Sequence, residues 1–129
     1  MQTKKGPIDE NISCTVDGKP VDIPVTHTLN AFEADAPVVV YFSGLYGSRK
    51  GAHAQNILES STRFGAAFVS FDNLGHGEST YPLENADLEK WSDVARQIIL
   101  WATKDNPQRR LIIVGNSGGA HMAFNGAVE

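Results

Sequence analysis

The chain has a single cysteine, Cys14, among its 129 residues. One thiol excludes an internal disulfide and a thiolate metal cluster, and it suits a reducing compartment. Long apolar runs are missing as well. The longest, Ala36 to Phe42, contains Pro37 and falls well short of the ~18 residues that a membrane-spanning helix requires. At the start, MQTKKGPIDENIS has two lysines with no apolar stretch behind them, so no secretory signal is expected and the cytoplasm is the expected compartment. Dense basic clusters are also absent. With 11 Lys+Arg against 15 Asp+Glu, a net charge of −4 and a pI near 5.5, the chain offers no phosphate-binding face, and nucleic acid is not an expected partner. There is no internal repeat and no low-complexity linker.

What is present fits one soluble globular domain across residues 1–129: 41% of the residues are hydrophobic and 20% charged, enough for a core. Residues 1–10 are read as disordered. Residues 11–30 read as a β-hairpin, because Asn11 to Val16 and Val21 to Leu29 flank Asp17-Gly18, a dipeptide suited to a tight turn. Pro20 and Pro24 are expected to keep its second strand at a sheet edge. From Pro37 to the end the pattern changes. Val38 to Phe42, Ala66 to Phe71 and Leu111 to Gly115 are continuous apolar runs, the form of strands buried on both faces. Helical patterns separate them: Ala54, Ile57, Leu58 and Ser61 before Gly65, then Leu88, Trp91, Ala95, Ile98 and Trp101 between Asn85/Asp87 caps and Asn106-Pro107. This alternation predicts a parallel βαβαβα core over 37–129, covered on both faces.

The third run ends in Gly115-Asn116-Ser117-Gly118-Gly119, followed by a stretch suited to a helix. A serine at a sharp strand-to-helix turn is crowded by its neighbours two places away, so glycine belongs at both positions. Such a turn lifts the hydroxyl clear of the sheet and sets it before the amides and positive dipole end of the next helix. This G-x-S-x-G elbow marks Ser117 as the candidate nucleophile, with Gly115 and Gly119 as the elbow glycines. A dinucleotide-binding G-x-G-x-x-G does not fit. Ser43-Gly44-Leu45-Tyr46-Gly47-Ser48 follows the first core strand, where a flexible loop can turn amides toward the same carbonyl. The amides of Leu45 and Gly118 are the candidate oxyanion donors. A phosphate loop is excluded there, since it would need glycine where Arg49 stands. Phe71 to Ser79, FDNLGHGES, reads as a tight turn in which Asp72 and Ser79 satisfy backbone amides.

In this order and at these separations, SGLYGS, FDNLGHGES and GNSGG resemble the α/β-hydrolase superfamily over Val38 to about Val128. FSGLYGSRKGAHA, FDNLGHGES and LEKWSDVARQII are further similar to the esterase branch with acyl-glucuronide esterases and palmitoyl-protein thioesterases, and more loosely to serine aminopeptidase-like hydrolases. The resemblance implies an α/β fold: an antiparallel hairpin, then a three-layer sandwich with a mostly parallel sheet, incomplete at the C-terminus. It implies that Ser117 attacks an ester, thioester or amide carbonyl of a small molecule, with no metal and no organic cofactor. Gly44, Tyr46, His76, Asn116 and His121 are implied to line the pocket. Three positions depart from the pattern. Gly118 stands where a larger apolar residue is usual, which opens the acyl pocket; Asn116 replaces a common histidine or serine; His121 replaces an aromatic.

In this superfamily the triad runs serine, acid, histidine along the chain, and only 12 residues follow Ser117. The expectation is therefore an N-terminal half, lacking acid and base and inactive alone, with an open edge at Leu111 to Gly115 through which it can self-associate. Of the histidines, His76 is read as a turn residue and His27 and His53 as surface residues. Cys14 is read as a buried packing group. Two further readings stay open: a non-catalytic module that binds a small acyl or carboxylate ligand, and an interaction fragment.

Overall fold

Asp17 and Gly18 both take positive φ, 52° and 75°, and the turn they make joins β1 (Ile8–Val16) to β2 (Lys19–His27) as an antiparallel hairpin. In this computed structural model residues 6–44 and 47–116 are described. The hairpin is longer than its sequence suggests. Residues 1–10 read as disordered, yet β1 begins at Ile8, because Ile8, Asp9 and Glu10 pair with His27, Thr26 and Val25. At the other end β2 stops at His27, and Leu29–Ala31 forms a single 3₁₀ turn.

Three further strands complete a five-stranded sheet in the order β1-β2-β4-β3-β5, with β3 at Val38–Phe42, β4 at Ala67–Phe71 and β5 at Leu111–Gly115. The last three run parallel, as their apolar runs predict, and β2 joins them by pairing antiparallel with β4. β3 and β4 are buried on both faces, but β5, expected to be so too, is exposed at Leu111 and Ile112 because it lies at an edge of the sheet. The expectation that Pro20 and Pro24 hold β2 at an edge is therefore wrong. β2 lies inside the sheet because it meets β4 only through Val25, Thr26 and His27, beyond both proline rings, so no ladder amide is missing where two neighbours need one.

Helix α1 (Ala52–Arg63) connects β3 to β4 and helix α2 (Leu88–Ala102) connects β4 to β5. Gly65, at φ 77°, turns the chain out of α1 in the left-handed conformation. The period-2 geometry of β3 assigns each helix its face. Val38, Val40 and Phe42 share a core with Val94, Ala95, Ile98 and Ala102 of α2, whereas Val39 and Tyr41 pack with Ala54, Ile57 and Leu58 of α1. The result is a three-layer sandwich. Cys14 is buried in the α2-side core, as expected, but His27 is not a surface residue: it is 5% exposed. Its Nδ1 accepts from the Leu29 amide at 3.1 Å, its Nε2 lies 2.6 Å from Glu10 Oε2, and its ring meets Trp101 edge-on. The sequence shows its polarity but not these partners. Among the described residues no helix is long and apolar enough to cross a membrane.

Candidate active site

Parallel strands end on one side of a sheet, so the segments that leave β3, β4 and β5 emerge together, the usual place for a ligand in an open α/β sheet. Gly115 pairs in register with Phe42, and the Asn116 amide donates to the Phe42 carbonyl at 3.2 Å. The chain is thus held beside the Ser43-Gly44 segment up to the residue before Ser117. Ser117, Gly118, Gly119 and His121 lie outside the described residues, as do Leu45 and Tyr46.

The loop after β3 folds back on itself. The Gly47 amide donates to the Gly44 carbonyl at 2.8 Å, and a Cβ at Gly47 would come within 3.0 Å of that oxygen, which explains the glycine. Beside it lies a cavity of about 130 Å³ lined by Tyr41, Ser43, Gly44, Gly47, His53 and Asn116 among others. Of the residues proposed to line a pocket, Gly44 and Asn116 do so here. Tyr41 is buried, and that burial raises its pKa, partly opposed by a hydrogen bond with the Asn116 side chain. His53, exposed at the start of α1, has no role in the sequence reading; its place in the first turn of the helix after the loop is the available signal.

The loop after β4 is organised by one carboxylate. Asp72, 1% exposed, accepts from the Arg49 amide at 2.8 Å and the Glu78 amide at 3.0 Å, and forms an ion pair with the Arg49 guanidinium. Ser79 Oγ accepts from the amides of Gly75 and Tyr81, each at 3.2 Å. Both residues therefore serve backbone amides, as the sequence predicts. Gly77, at φ 54°, packs directly against the Asp72 carboxyl group, where a Cβ would overlap it.

His76 is held toward α2. Its Nδ1 lies 3.0 Å from the Leu74 carbonyl, so that nitrogen carries the proton and donates, and its ring meets Trp91 edge-on with centroids 5.6 Å apart. Trp91 Nε1 donates to the same carbonyl at 2.8 Å. His76 belongs to the turn, on the α2 side, and is not among the residues around the Asn116 cavity. Arg49 is the residue that sequence reading missed. In the sequence it serves only to exclude a phosphate loop, yet it is 6% exposed and joins both loops.

A larger hollow of about 670 Å³ lies between the hairpin turn and the first turns of α2. It holds two ion pairs, Lys90 with Asp17 at 3.2 Å and Arg96 with Asp93, and it shares no residue with the strand-end loops. Among the described residues no group of three or more His, Cys, Asp or Glu could hold a metal ion.

Fold and strand-end loops together define an α/β protein whose candidate chemistry sits at the C-terminal side of its parallel strands. The chain belongs to the alpha/beta hydrolase fold family, whose sequence profile matches residues 37–128. It is similar to the Bos taurus protein named Palmitoyl-protein thioesterase ABHD10, mitochondrial, with 29% identity over 93 residues, 72% of this chain and 29% of that protein. Among solved structures, the esterase Pf2001 of Pyrococcus furiosus matches with a TM-score of 0.75 and 21% identity, covering 95% of this chain and 45% of that one. Est1E of Butyrivibrio proteoclasticus, solved with ferulic acid bound, matches with a TM-score of 0.74 and 20% identity, covering 86% and 44%. The chain spans less than half the length of each of these relatives.

Proposed function

We propose that this chain carries the nucleophile and the oxyanion-binding loops of a serine hydrolase acting on ester or thioester carbonyls, with Ser117 as the nucleophile. The observation that carries the reading is the junction of β5 and β3. The Asn116 amide, 3.2 Å from the Phe42 carbonyl, holds the chain that leaves β5 beside the start of the glycine-rich loop after β3, up to the residue before Ser117. The thioesterase and esterase names among its relatives support the same class.

In this reading Ser117 Oγ adds to the carbonyl carbon, and the charge that moves to the carbonyl oxygen is met by the amides of Leu45 and Gly118. Collapse of the adduct breaks the bond to the alcohol or thiol, which leaves with the proton taken from the serine. Water then repeats the sequence and frees the acid. A serine without a base is a weak nucleophile, so the 129 residues alone are proposed to turn over esters poorly. An oxyanion site without its triad still retains on the order of 10³–10⁴-fold acceleration over water, so modification of Ser117 is expected to be slow and to need prolonged exposure to the probe.

The test is a fluorophosphonate probe followed by peptide mass spectrometry. Modification is expected at Ser117 and is expected to vanish in Ser117→Ala. Binding of a short-chain carboxylate with no modification would instead make the chain a non-catalytic ligand-binding module. The cytoplasm is the compartment we assign, and a tagged chain that fractionates with mitochondria, the compartment in the bovine relative's name, would reassign it.

A further inference from the structure

We propose that the buried Arg49–Asp72 pair is a positioning device: it fixes the loop after β3 against the end of β4, and so sets where that loop's amides stand relative to the elbow serine. The proposal rests on the nucleophile reading of Ser117.

Arg49 is the point at which the loop rejoins the body of the sheet, two residues after Gly47 and two before Gly51, the N-cap of α1. The polar groups of Arg49 reach β2, β4 and the loop after β4. Its amide donates to Asp72 Oδ1 at 2.8 Å and its carbonyl accepts from Ser70 Oγ of β4 at 2.9 Å. Nε donates to Thr26 Oγ1 of β2 at 3.0 Å, Nη1 donates to Asp72 Oδ2, and Nη2 meets Glu78 Oε1 at 2.8 Å. Thr26 Oγ1 in turn donates to Asp9 Oδ1 of β1 at 2.6 Å, and Asp9 pairs with Lys50.

Burial of this pair is poor value as glue, because two desolvated charges are often matched or beaten by apolar residues of equal size. What such a pair does better is specify one geometry, through directional bonds that a greasy contact lacks. Here the directions converge on the backbone of Arg49. From that anchor to Phe42 at the end of β3 the loop is only six residues long, so a shift at Arg49 is transmitted to Gly44 and Gly47. Catalytic groups displaced by about 1 Å lose up to roughly a hundredfold in rate.

The test compares the unaltered chain with Arg49→Ala, Asp72→Asn and Arg49→Lys, each well below its own unfolding midpoint. Two quantities are read: amide exchange at Gly47 and Ser48, and the maximal rate of Ser117 labelling at saturating fluorophosphonate. We expect exchange of the loop amides to rise about tenfold in Arg49→Ala and Asp72→Asn while β3 amides stay protected. Maximal labelling is expected to fall roughly ten- to a hundredfold with little change in the half-saturating probe concentration, and Arg49→Lys to recover part of it. If the two severe variants do not fold, Arg49→Lys and Thr26→Val are read in the same way, with smaller changes expected. Unchanged loop exchange, or a loosened loop that leaves maximal labelling intact, overturns the positioning role alone. No labelling of the unaltered chain overturns the nucleophile reading, and the positioning role falls with it.

Discussion

Gly77 and Gly18 share a left-handed backbone and differ in what surrounds them. Gly18, at φ 75°, has open space where a Cβ would stand; Gly77, at φ 54°, has the Asp72 carboxyl group there. Alanine at Gly18 should lose only the conformational cost of positive φ, about 1–2 kcal/mol. Alanine at Gly77 adds an overlap with a buried, fully engaged carboxylate, and a total loss of about 3–5 kcal/mol is expected. Urea unfolding of the two variants checks the difference, and equal losses would mean that the β4 loop is not packed on Asp72 as described. Cys14 makes a second case at this scale. Burial, and then the nearby Asp93, push its thiol up to about 11 from an ordinary 9.0. The unfolded thiol ionises first as pH rises, so the folded state binds more protons between those values and stability must fall across that window. The loss is on the order of 2 kcal/mol at pH 11, and it should disappear in Cys14→Val, which removes the ionisation. Chemical denaturation at pH 8 and pH 10.5 measures it.

Among the elements, α2 shows what a sequence discloses and what it withholds. Its N-cap, Asp87, accepts from the Lys90 amide at 2.8 Å, and its apolar stripe of Trp91, Ala95 and Ile98 faces the sheet. Asp87→Ala should therefore cost about 1 kcal/mol, read as a lower thermal midpoint with unchanged near-ultraviolet circular dichroism. Both features are legible because capping and helical periodicity are local. The same holds for β3, whose boundaries match its apolar run because a strand buried on both faces has no polar interruption, and β5 matches its run as well, although it lies at an edge. Legibility ends where pairing is long-range. Pro24 marks an edge only when both neighbours need its amide, and whether β2 has a second neighbour beyond Pro24 is decided by β4, over forty residues away. His27 and Arg49 fail for a related reason. A cationic or titratable side chain reads as surface until its partners are known, and those partners, Glu10 and Asp72, are brought up by the fold. Of the site, the glycine-rich segment after β3 is legible as a flexible loop, whereas the residue that ties it down, Arg49, is not.

At the scale of the whole molecule, the two edges of the sheet formed by the described residues differ. β1 closes one edge as a hairpin strand that is mostly exposed and polar, with Asp9, Glu10, Asn11 and Ser13 along it. Such an edge discourages addition of a further strand. The opposite edge is β5, and among the described residues nothing pairs with its outer side. Leu111 and Ile112 are 36% and 40% exposed there, although Ile113 and Val114 pack on the two cores. Alternation sends Leu111 toward the α2 face and Ile112 toward the α1 face, so apolar surface is bared on both sides of one unpaired strand. We propose that the chain self-associates through β5, with a second copy or a complementary strand completing the sheet. Sedimentation velocity should show a weight-average mass that rises with concentration over the micromolar range. Ile112→Lys places a charge on that edge without disturbing a filled core position, and it should shift the equilibrium toward monomer while costing less than about 1 kcal/mol of stability. A concentration-independent monomer, with or without the lysine, would overturn self-association through β5.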